Sequence, residues 1–362
     1  MVLEEASIPD RTHPVRKYSR LKNLFRFHSW APFYIDIDQE SFAPGISLMS
    51  QNTLSTAFTT LGWDYDLNEE SGKYRLNFSY KGWFPVLDME VDFSRRKTTF
   101  TDTNGVLQTA RWYETNLSPA ISIPLNLTNG KYFQGLTPKI SLTQKFLRRD
   151  ESAEITVHKT SINIFNFQLF YYHQIRRSLR DIYPRWGQSF ELNLRQSVFK
   201  PGYDDHLVAA ETYLYFPGFI RHQGLRIYGG SQWTRGDNYT FSNLVSVSRG
   251  FSGIFADELY SAKLDYVMPL LSPDLSISSL FYIKRLSMGL FYDYTYTQRG
   301  IHWVHYVSTG MEVRTELHFL RSIAPVEIGI RGIYLPDFND IRAELLVRDQ
   351  FRSPVLKRVI IH

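Results

Sequence analysis

The sequence contains no cysteine and no long run of apolar residues. Because none of the 362 residues is cysteine, disulfide bonds, thiolate metal sites and cysteine nucleophiles are excluded. No apolar run approaches the roughly 18 residues that a membrane-spanning helix requires, and the mean hydropathy is only −0.28. A helical membrane protein is therefore excluded. A transmembrane β-barrel is not, since only alternate residues of its strands face lipid.

The motifs of common catalytic and nucleotide-binding sites are also missing. The sequence has no G-x-S-x-G, Walker, H-E-x-x-H or G-x-G-x-x-G pattern. His302 and His305 are three residues apart, which on a strand places them on opposite faces and makes them a poor metal pair. We therefore predict a protein that is not an enzyme, with no catalytic residue, no metal site and no cofactor.

Charge is modest and dispersed. The chain has 41 Lys and Arg residues against 36 Asp and Glu residues, a net charge of +5. Basic residues occur in scattered pairs such as Arg95-Arg96, whereas a nucleic-acid-binding surface is typically a dense basic patch. We therefore predict that nucleic acid is not a partner.

Aromatic residues are plentiful. The 23 Tyr, 26 Phe and 7 Trp residues make up 15% of the chain. Such a composition is typical of strands and of the aromatic belts at a membrane–water interface. A soluble β protein rich in aromatics would have the same composition, so this alternative stays open.

From about residue 44, apolar and polar residues alternate with a period of two in segment after segment, which predicts an all-β chain. In one predicted hairpin, Lys73 and Arg75 on the polar face of one strand would lie opposite Asp88, Glu90 and Asp92 on the next. Ten strands are predicted before a long loop at 236–257: 44–51, 54–66, 72–82, 85–98, 108–123, 131–147, 156–173, 187–199, 205–217 and 222–235. Five follow the loop: 258–270, 284–297, 304–320, 324–335 and 340–348.

Fifteen is an odd number, and single-chain bacterial barrels close with an even number of strands. We therefore expect one strand to be missed or wrongly divided and favour an antiparallel transmembrane β-barrel of sixteen strands over one of fourteen. Residues 1–40 are predicted to be a lead-in or linker and periplasmic segment, 41–351 the barrel with 236–257 as a lumen loop, and 352–362 a C-terminal tail. The first residues include Glu4 and Glu5, where a signal peptide has a basic start and an apolar core, so we expect a mature chain or a piece of a longer precursor.

Two short motifs stand on either side of the first strand after this loop. Residues 247–251 read Val-Ser-Arg-Gly-Phe, and residues 289–293, inside the second strand, read Gly-Leu-Phe-Tyr-Asp. This order resembles the bacterial surface antigen family, the BamA/FhaC-like superfamily of outer-membrane protein transporters. The resemblance covers residues 242–348 best. It implies that the loop folds back into the barrel and that its Arg-Gly-Phe tip docks on the Gly-x-Phe-x-Asp strand.

The physical chemistry of these residues favours the same pairing. An arginine in a confined lumen keeps its charge and needs a carboxylate in place of water, and Gly250 allows a tight turn. Phe291 points to the same side of its strand as Asp293 and can pack on the guanidinium. The alternative is an ordinary surface turn and an ordinary strand acid. The predicted latch residues are Arg249, Gly250, Phe251, Gly289, Phe291 and Asp293.

Charged residues also recur on one face of the last strands. In a barrel this face would be a polar interior, and opposite charges alternate along it, so a charge ladder is a better interpretation than a hydrolytic carboxylate pair. The predicted lumen ladder consists of Glu312, Arg314, Glu316, Glu327 and Arg331.

The sequence departs from the family pattern at several points. Residues 1–40 are too few for the polypeptide-binding domains that precede the barrel in many members, and Ser248 stands where the family usually has Val. Residues 265–267, Asp-Tyr-Val, match only loosely the acidic-aromatic-basic signature of the family, and residues 359–362, Val-Ile-Ile-His, lack the terminal aromatic that is common in outer-membrane barrels. The resemblance implies a Gram-negative outer-membrane barrel that inserts or translocates polypeptides, with the seam between first and last strands as a lateral gate. Its partners would be outer-membrane lipid, polypeptide clients and a periplasmic or lipoprotein partner. A solute pore, a membrane anchor for an upstream soluble domain, and a soluble β-sandwich are the alternatives.

Overall fold

The computed structural model describes residues 19, 23–36, 41–66, 70–101, 107–150, 155–156, 160–178, 180–198, 204–236, 239–278, 280–319 and 326–349. Within these ranges strand is the predominant secondary structure, and a single turn of 3-10 helix spans Pro336–Phe338. No helix in this part of the chain is long and apolar enough to cross a bilayer.

Sixteen strands of ten or more residues lie in the described ranges. They are β1 (Phe27–Asp36), β2 (Ser41–Gln51), β3 (Ala57–Asp66), β4 (Ser71–Tyr80), β5 (Val86–Thr101), β6 (Leu107–Ser122), β7 (Tyr132–Arg149), β8 (Thr160–Ile175), β9 (Gly187–Val198), β10 (His206–Pro217), β11 (Gly224–Arg235), β12 (Glu258–Leu271), β13 (Phe281–Arg299), β14 (His302–Phe319), β15 (Val326–Leu335) and β16 (Asp340–Asp349). Three short strands, Leu125–Asn126, Ile155–Thr156 and Leu275–Ile277, extend the connections.

These strands form one antiparallel meander in which each long strand pairs with the next. β16 lies close to β2, so the last strand of the meander returns to its first strands. Hairpin connections in such a meander lie alternately at the two ends of the barrel. The all-β barrel predicted from the alternation is therefore confirmed, with every predicted strand overlapping one of β2 to β16.

The missing sixteenth strand is β1, in residues that the sequence analysis assigned to the lead-in. β1 pairs with β2, but its register shifts between Phe27 and Ser29 and again between Ala31 and Phe33. Pro32 lies at the second shift and has no N–H to donate to the ladder. The shifts break the two-residue alternation, which is why the pattern did not reveal this strand. The strand region therefore begins at residue 27 rather than 41, and the predicted tail at 352–362 lies outside the described residues.

The alternation of faces is clearest in the middle of β13. Leu290, Tyr292, Tyr294 and Tyr296 are exposed on the outer face of the barrel, while the residues between them are buried inside. An apolar and aromatic outer surface suits lipid, and a polar inner face suits a water-filled or protein-filled lumen. The alternation thus places every second residue of β13 from 289 to 297 in the lumen.

The predicted hairpin of opposite charges is present between β4 and β5. Arg75 pairs in register with Asp92, and Lys73 Nζ lies 3.2 Å from Asp92 Oδ2. Arg75 itself forms an ion pair with Asp64 on β3, with Nε 2.9 Å from Oδ1. The inner wall on this side of the barrel therefore consists of paired charges, which helps to fix the register of β3, β4 and β5.

The two faces of neighbouring strands should respond differently to a new charge. Ile140 is exposed on the outer face of β7, and Ser118 on β6 lies inside, opposite Glu90. We expect Ile140→Lys to lower the free energy of unfolding in lipid vesicles by about 2–4 kcal/mol, because lysine near the bilayer midplane is costly. Ser118→Lys, beside Glu90, should change it by less than about 1 kcal/mol. Equal losses in urea titrations would contradict this assignment of faces.

Candidate functional site

The loop between β11 and β12 runs inside the barrel. Its apolar residues Phe241 and Val245 are buried against an apolar patch on the inner wall, together with Tyr228 of β11. The patch is formed by Ile162, Ile164, Leu207, Ala209 and Leu259. The charged residues on one face of the strands predict a polar lumen, so this apolar patch differs from the expectation. The signal was in β8, where apolar residues occupy both faces between residues 162 and 170.

Hydrogen bonds from the wall fix the course of the loop backbone. Gln232 of β11 accepts from the backbone N–H of Leu244 at 2.8 Å and donates to Asn243 Oδ1 at 2.9 Å. Asn243 in turn donates to the backbone oxygen of Ile254 at 2.7 Å, closing the loop on itself. Buried backbone groups need such partners, so Gln232 holds the loop against β11.

The tip of the loop is held by three strands. Ser248 N–H donates to Thr295 Oγ1 at 2.9 Å, and its hydroxyl donates to the backbone oxygen of Tyr306 at 2.8 Å. Lys263 Nζ donates to the backbone oxygen of Val247 at 2.6 Å. The hydroxyl of Ser248 therefore makes polar contacts that the Val usual in the family could not make.

Gly250 turns the chain directly after Arg249. Its φ is +85°, in the region that favours glycine. A Cβ there would lie 3.2 Å from side-chain carbons of Ile333 and of Leu335. Phe251 packs against these two residues and Phe291, so the tip combines a tight turn with an apolar contact to β15.

Arg249 and Asp293 lie in direct contact. Arg249 Nε is 2.7 Å from Asp293 Oδ2, and its Nη2 is 2.6 Å from Oδ1. The backbone N–H of Arg249 also donates to Asp293 Oδ2 at 2.9 Å. Asp293 is fully buried, and two parallel hydrogen bonds to a guanidinium give both strength and geometric specificity.

Burial lowers the pKa of Arg249, but the hydrogen bonds to Asp293 and the nearby charge of Asp265 raise it more. The pKa therefore lies above its ordinary value, and Arg249 stays cationic at every physiological pH.

The ring of Phe291 forms the floor beneath the guanidinium. Arg249 Cζ lies 3.9 Å from the ring centroid, within the range of a cation–π contact. A Cβ at Gly310, in register with Phe291 on β14, would lie 2.8 Å from Phe291 Cζ. Glycine at position 310 thus leaves room for the ring. The neighbouring Gly289 pairs in register with Glu312.

Two further carboxylates complete the surroundings of Arg249. Its Nη2 donates to Asp265 Oδ1 of β12 at 2.7 Å, and its Nη1 lies 3.5 Å from Glu312 Oε1 of β14. The other oxygen of Asp265 accepts from Arg226 Nη2 at 2.8 Å. Arg331 Nη2 lies 3.1 Å from Glu312 Oε2. The anchor is therefore a network on five consecutive strands, β11 to β15.

The predicted lumen ladder divides into two groups. Glu312 pairs with Arg331 and Arg314, and Arg314 Nη1 lies 3.8 Å from Glu327 Oε2. Glu316 lies further along β14 and belongs to a separate group, in which it pairs with Arg285 at 2.7 Å and with Lys284.

Asp265 and Arg226 were not among the residues predicted for the site. The signal for Asp265 was its inward position on β12, and for Arg226 its register with Asp265, which the alternation alone does not reveal.

No protein-family model and no curated protein matches the sequence. Solved structures do match. The crystal structure of BamA from Haemophilus ducreyi lacking POTRA domains 1–3 has 11% sequence identity and a TM-score of 0.56, covering 86% of this chain and 68% of that chain. CdiB from Escherichia coli has 12% identity and a TM-score of 0.56, covering 85% of this chain and 59% of that one.

CdiB from Acinetobacter baumannii has 9% identity and a TM-score of 0.53, covering 85% of this chain and 56% of that one. This chain therefore spans less than two thirds of either CdiB chain. At these identities the likeness concerns the fold. The chain has the barrel fold of BamA and CdiB, as the resemblance carried by its two motifs predicted.

Proposed function

We propose that this chain is a bacterial outer-membrane barrel that inserts or translocates polypeptides, and that the loop between β11 and β12 is latched in its lumen by Arg249. The observation that carries the proposal is the bidentate hydrogen bonding of Arg249 to Asp293 inside a barrel with the fold of BamA and CdiB. Its partners would be outer-membrane lipid, polypeptide clients and a periplasmic or lipoprotein partner that delivers them.

The latch is a strong anchor because its charges are buried and mutually satisfied. Asp265, Asp293 and Glu312 are each 1% exposed or less. A buried carboxylate that loses its cation is left without the water that would otherwise solvate it. Withdrawing Arg249 from the lumen would take away the guanidinium partner of Asp293, whereas Asp265 keeps Arg226 and Glu312 keeps Arg314 and Arg331. The penalty at Asp293 favours a loop that stays docked until another interaction replaces Arg249.

The strand lengths support a lateral gate at the seam. β1 to β4, β15 and β16 have 10 or 11 residues each, whereas β5 to β8, β13 and β14 have 16 to 19. At about 3.3 Å per residue, the wall is much shorter beside the seam than elsewhere. A short wall favours local thinning of the bilayer, and a client leaving through the seam would meet a thinner membrane there.

A solute pore is the second candidate, and the polar wall of β3 to β7 is the observation that favours it. Besides the ion pairs of Arg75 and Lys73, Lys145 Nζ lies 3.3 Å from Glu114 Oε1 on this wall. A polar lumen wall is enough for a water-filled channel. Steady single-channel conductance with the loop docked would favour the pore.

Removing the guanidinium should free the loop tip. We expect Arg249→Ala to lower the free energy of unfolding by about 3–5 kcal/mol, because one partner of a buried ion pair is lost. On a semi-native gel the barrel should unfold at a lower temperature, and protease should cut within residues 240–256. Arg299→Ala is the matched control, since Arg299 is an exposed arginine at the end of β13. If Arg249→Ala changed neither the unfolding temperature nor the access of protease to the loop, the proposal that Arg249 latches the loop would be wrong.

Photo-crosslinking in cells tests transport at the seam. Probes replace Leu48 on β2 and Leu345 on β16, which are exposed residues on the two strands that approach each other, and a control probe replaces Leu290 on the outer face of β13. We expect unfolded or secreted polypeptides to be trapped at the two seam positions and only lipid at Leu290. Recovery of lipid and the facing seam strand alone, from both seam probes, would reject polypeptide transport.

A further inference from the structure

A second segment folds into the barrel from the end opposite the latched loop. Its described residues are 176–178 and 180–186, between β8 and β9, and two hairpins separate it from the loop between β11 and β12. Because connections alternate between ends, the two segments enter from opposite ends. Arg285 of β13 donates to the backbone oxygen of Arg180 at 3.0 Å, although three strands lie between β9 and β13. Asp181 is buried and lies 2.7 Å from His222 Nδ1.

Tyr183 carries this segment onto the inner wall of β10 and β11. Its Cβ lies 3.1 Å from the position that a Cβ on Gly224 would occupy, and its ring centroid is 5.7 Å from that of Tyr215. Arg226 Cζ lies 5.2 Å from the centroid of the Tyr183 ring and 5.8 Å from that of Tyr213. Arg226 is therefore covered by the second segment and held against an aromatic surface.

Arg226 also reaches the latch. Its Nε and Nη2 lie 3.1 Å and 2.8 Å from Asp265 Oδ2, while Asp265 Oδ1 accepts from Arg249 Nη2 at 2.7 Å. The buried carboxylate of Asp265 therefore binds two arginines. One oxygen accepts from Arg249 of the loop tip, and the other accepts from Arg226, which Tyr183 covers.

We propose that residues 176–178 and 180–186 belong to a second lumen segment whose docking is coupled to that of the loop through Arg226 and Asp265. Withdrawal of Arg249 leaves Asp265 with half of its cationic partners, and withdrawal of Tyr183 lets water reach Arg226 and weakens its pairing with Asp265. Each segment therefore stabilises the docked state of the other, and opening one end of the barrel loosens the other end. The inference rests on the proposed latch but not on what the barrel transports.

The absence of cysteine makes a clean test possible. One reporter is Val245→Cys, buried in the loop, and the other is Ile182→Cys, half-buried in the second segment. The rate of maleimide labelling of the folded barrel in lipid vesicles measures how often each segment opens. The difference in migration between heated and unheated samples on a semi-native gel checks that every variant is folded.

Breaking either segment should speed labelling of both reporters. We expect Tyr183→Ala to accelerate labelling at Val245→Cys, and Arg249→Ala to accelerate it at Ile182→Cys, each about tenfold, within the usual range of coupling between sites. Tyr183→Phe keeps the ring on Arg226 and should leave both rates unchanged. Arg226→Gln leaves both segments intact and should accelerate both reporters, which keeps the test open if Tyr183→Ala does not fold.

The outcomes separate the coupling from the latch. If Arg249→Ala accelerates Val245→Cys but leaves Ile182→Cys at its original rate, the coupling is overturned and the latch stands. If Arg249→Ala accelerates neither reporter, the latch and the coupling both fail. Acceleration of one reporter alone by Arg226→Gln also overturns the coupling.

Discussion

The structure around the loop depends on one buried cation, the guanidinium of Arg249. Arg249 cannot give up its proton, so the surrounding strands must supply negatively charged groups that take the place of water. β12, β13 and β14 each contribute one buried carboxylate, Asp265, Asp293 and Glu312. Arginines on β11, β14 and β15 then balance these acids. Much of the charge in this part of the lumen can be understood as compensation for the one cation that the loop brings in.

The loop is held by two kinds of force. Near residues 241–245 it packs on an apolar patch, and such packing is strong but not directional. At the tip, Ser248 and Arg249 use hydrogen bonds with defined partners, which are directional. The apolar patch and the tip therefore hold the loop together, and the tip fixes its register against β13. Loss of the tip contacts would leave only the non-directional packing, from which the loop opens more often and from which a polypeptide entering the lumen can displace it.

The sequence was informative where a local period or motif carries the signal. Alternation located β2 to β16, and the positions of Arg249 and Asp293 within their motifs predicted that they should meet. Contacts across the lumen left no such signal. Tyr183 lies in an arginine-rich turn between β8 and β9, and neither its neighbours nor its spacing indicates that it reaches Arg226. The strand β1 was not predicted because Pro32 interrupts the two-residue alternation of apolar and polar residues. Local patterns predict elements and faces, whereas the partner of an inserted segment depends on barrel closure.

Disulfide trapping of the loop tip tests the docked loop most directly. Ser248 Oγ and Thr295 Oγ1 are 2.8 Å apart, which suits a disulfide between cysteines at these positions, where Cβ atoms typically lie about 3.8 Å apart. With no other cysteine in the chain, the account predicts that the S248C/T295C double variant becomes oxidised in membranes and resists maleimide. The control pair S252C/T295C combines an exposed loop position with the same buried position of β13, and it should stay reduced. Complete maleimide labelling of S248C/T295C after oxidation would contradict a loop docked on β13.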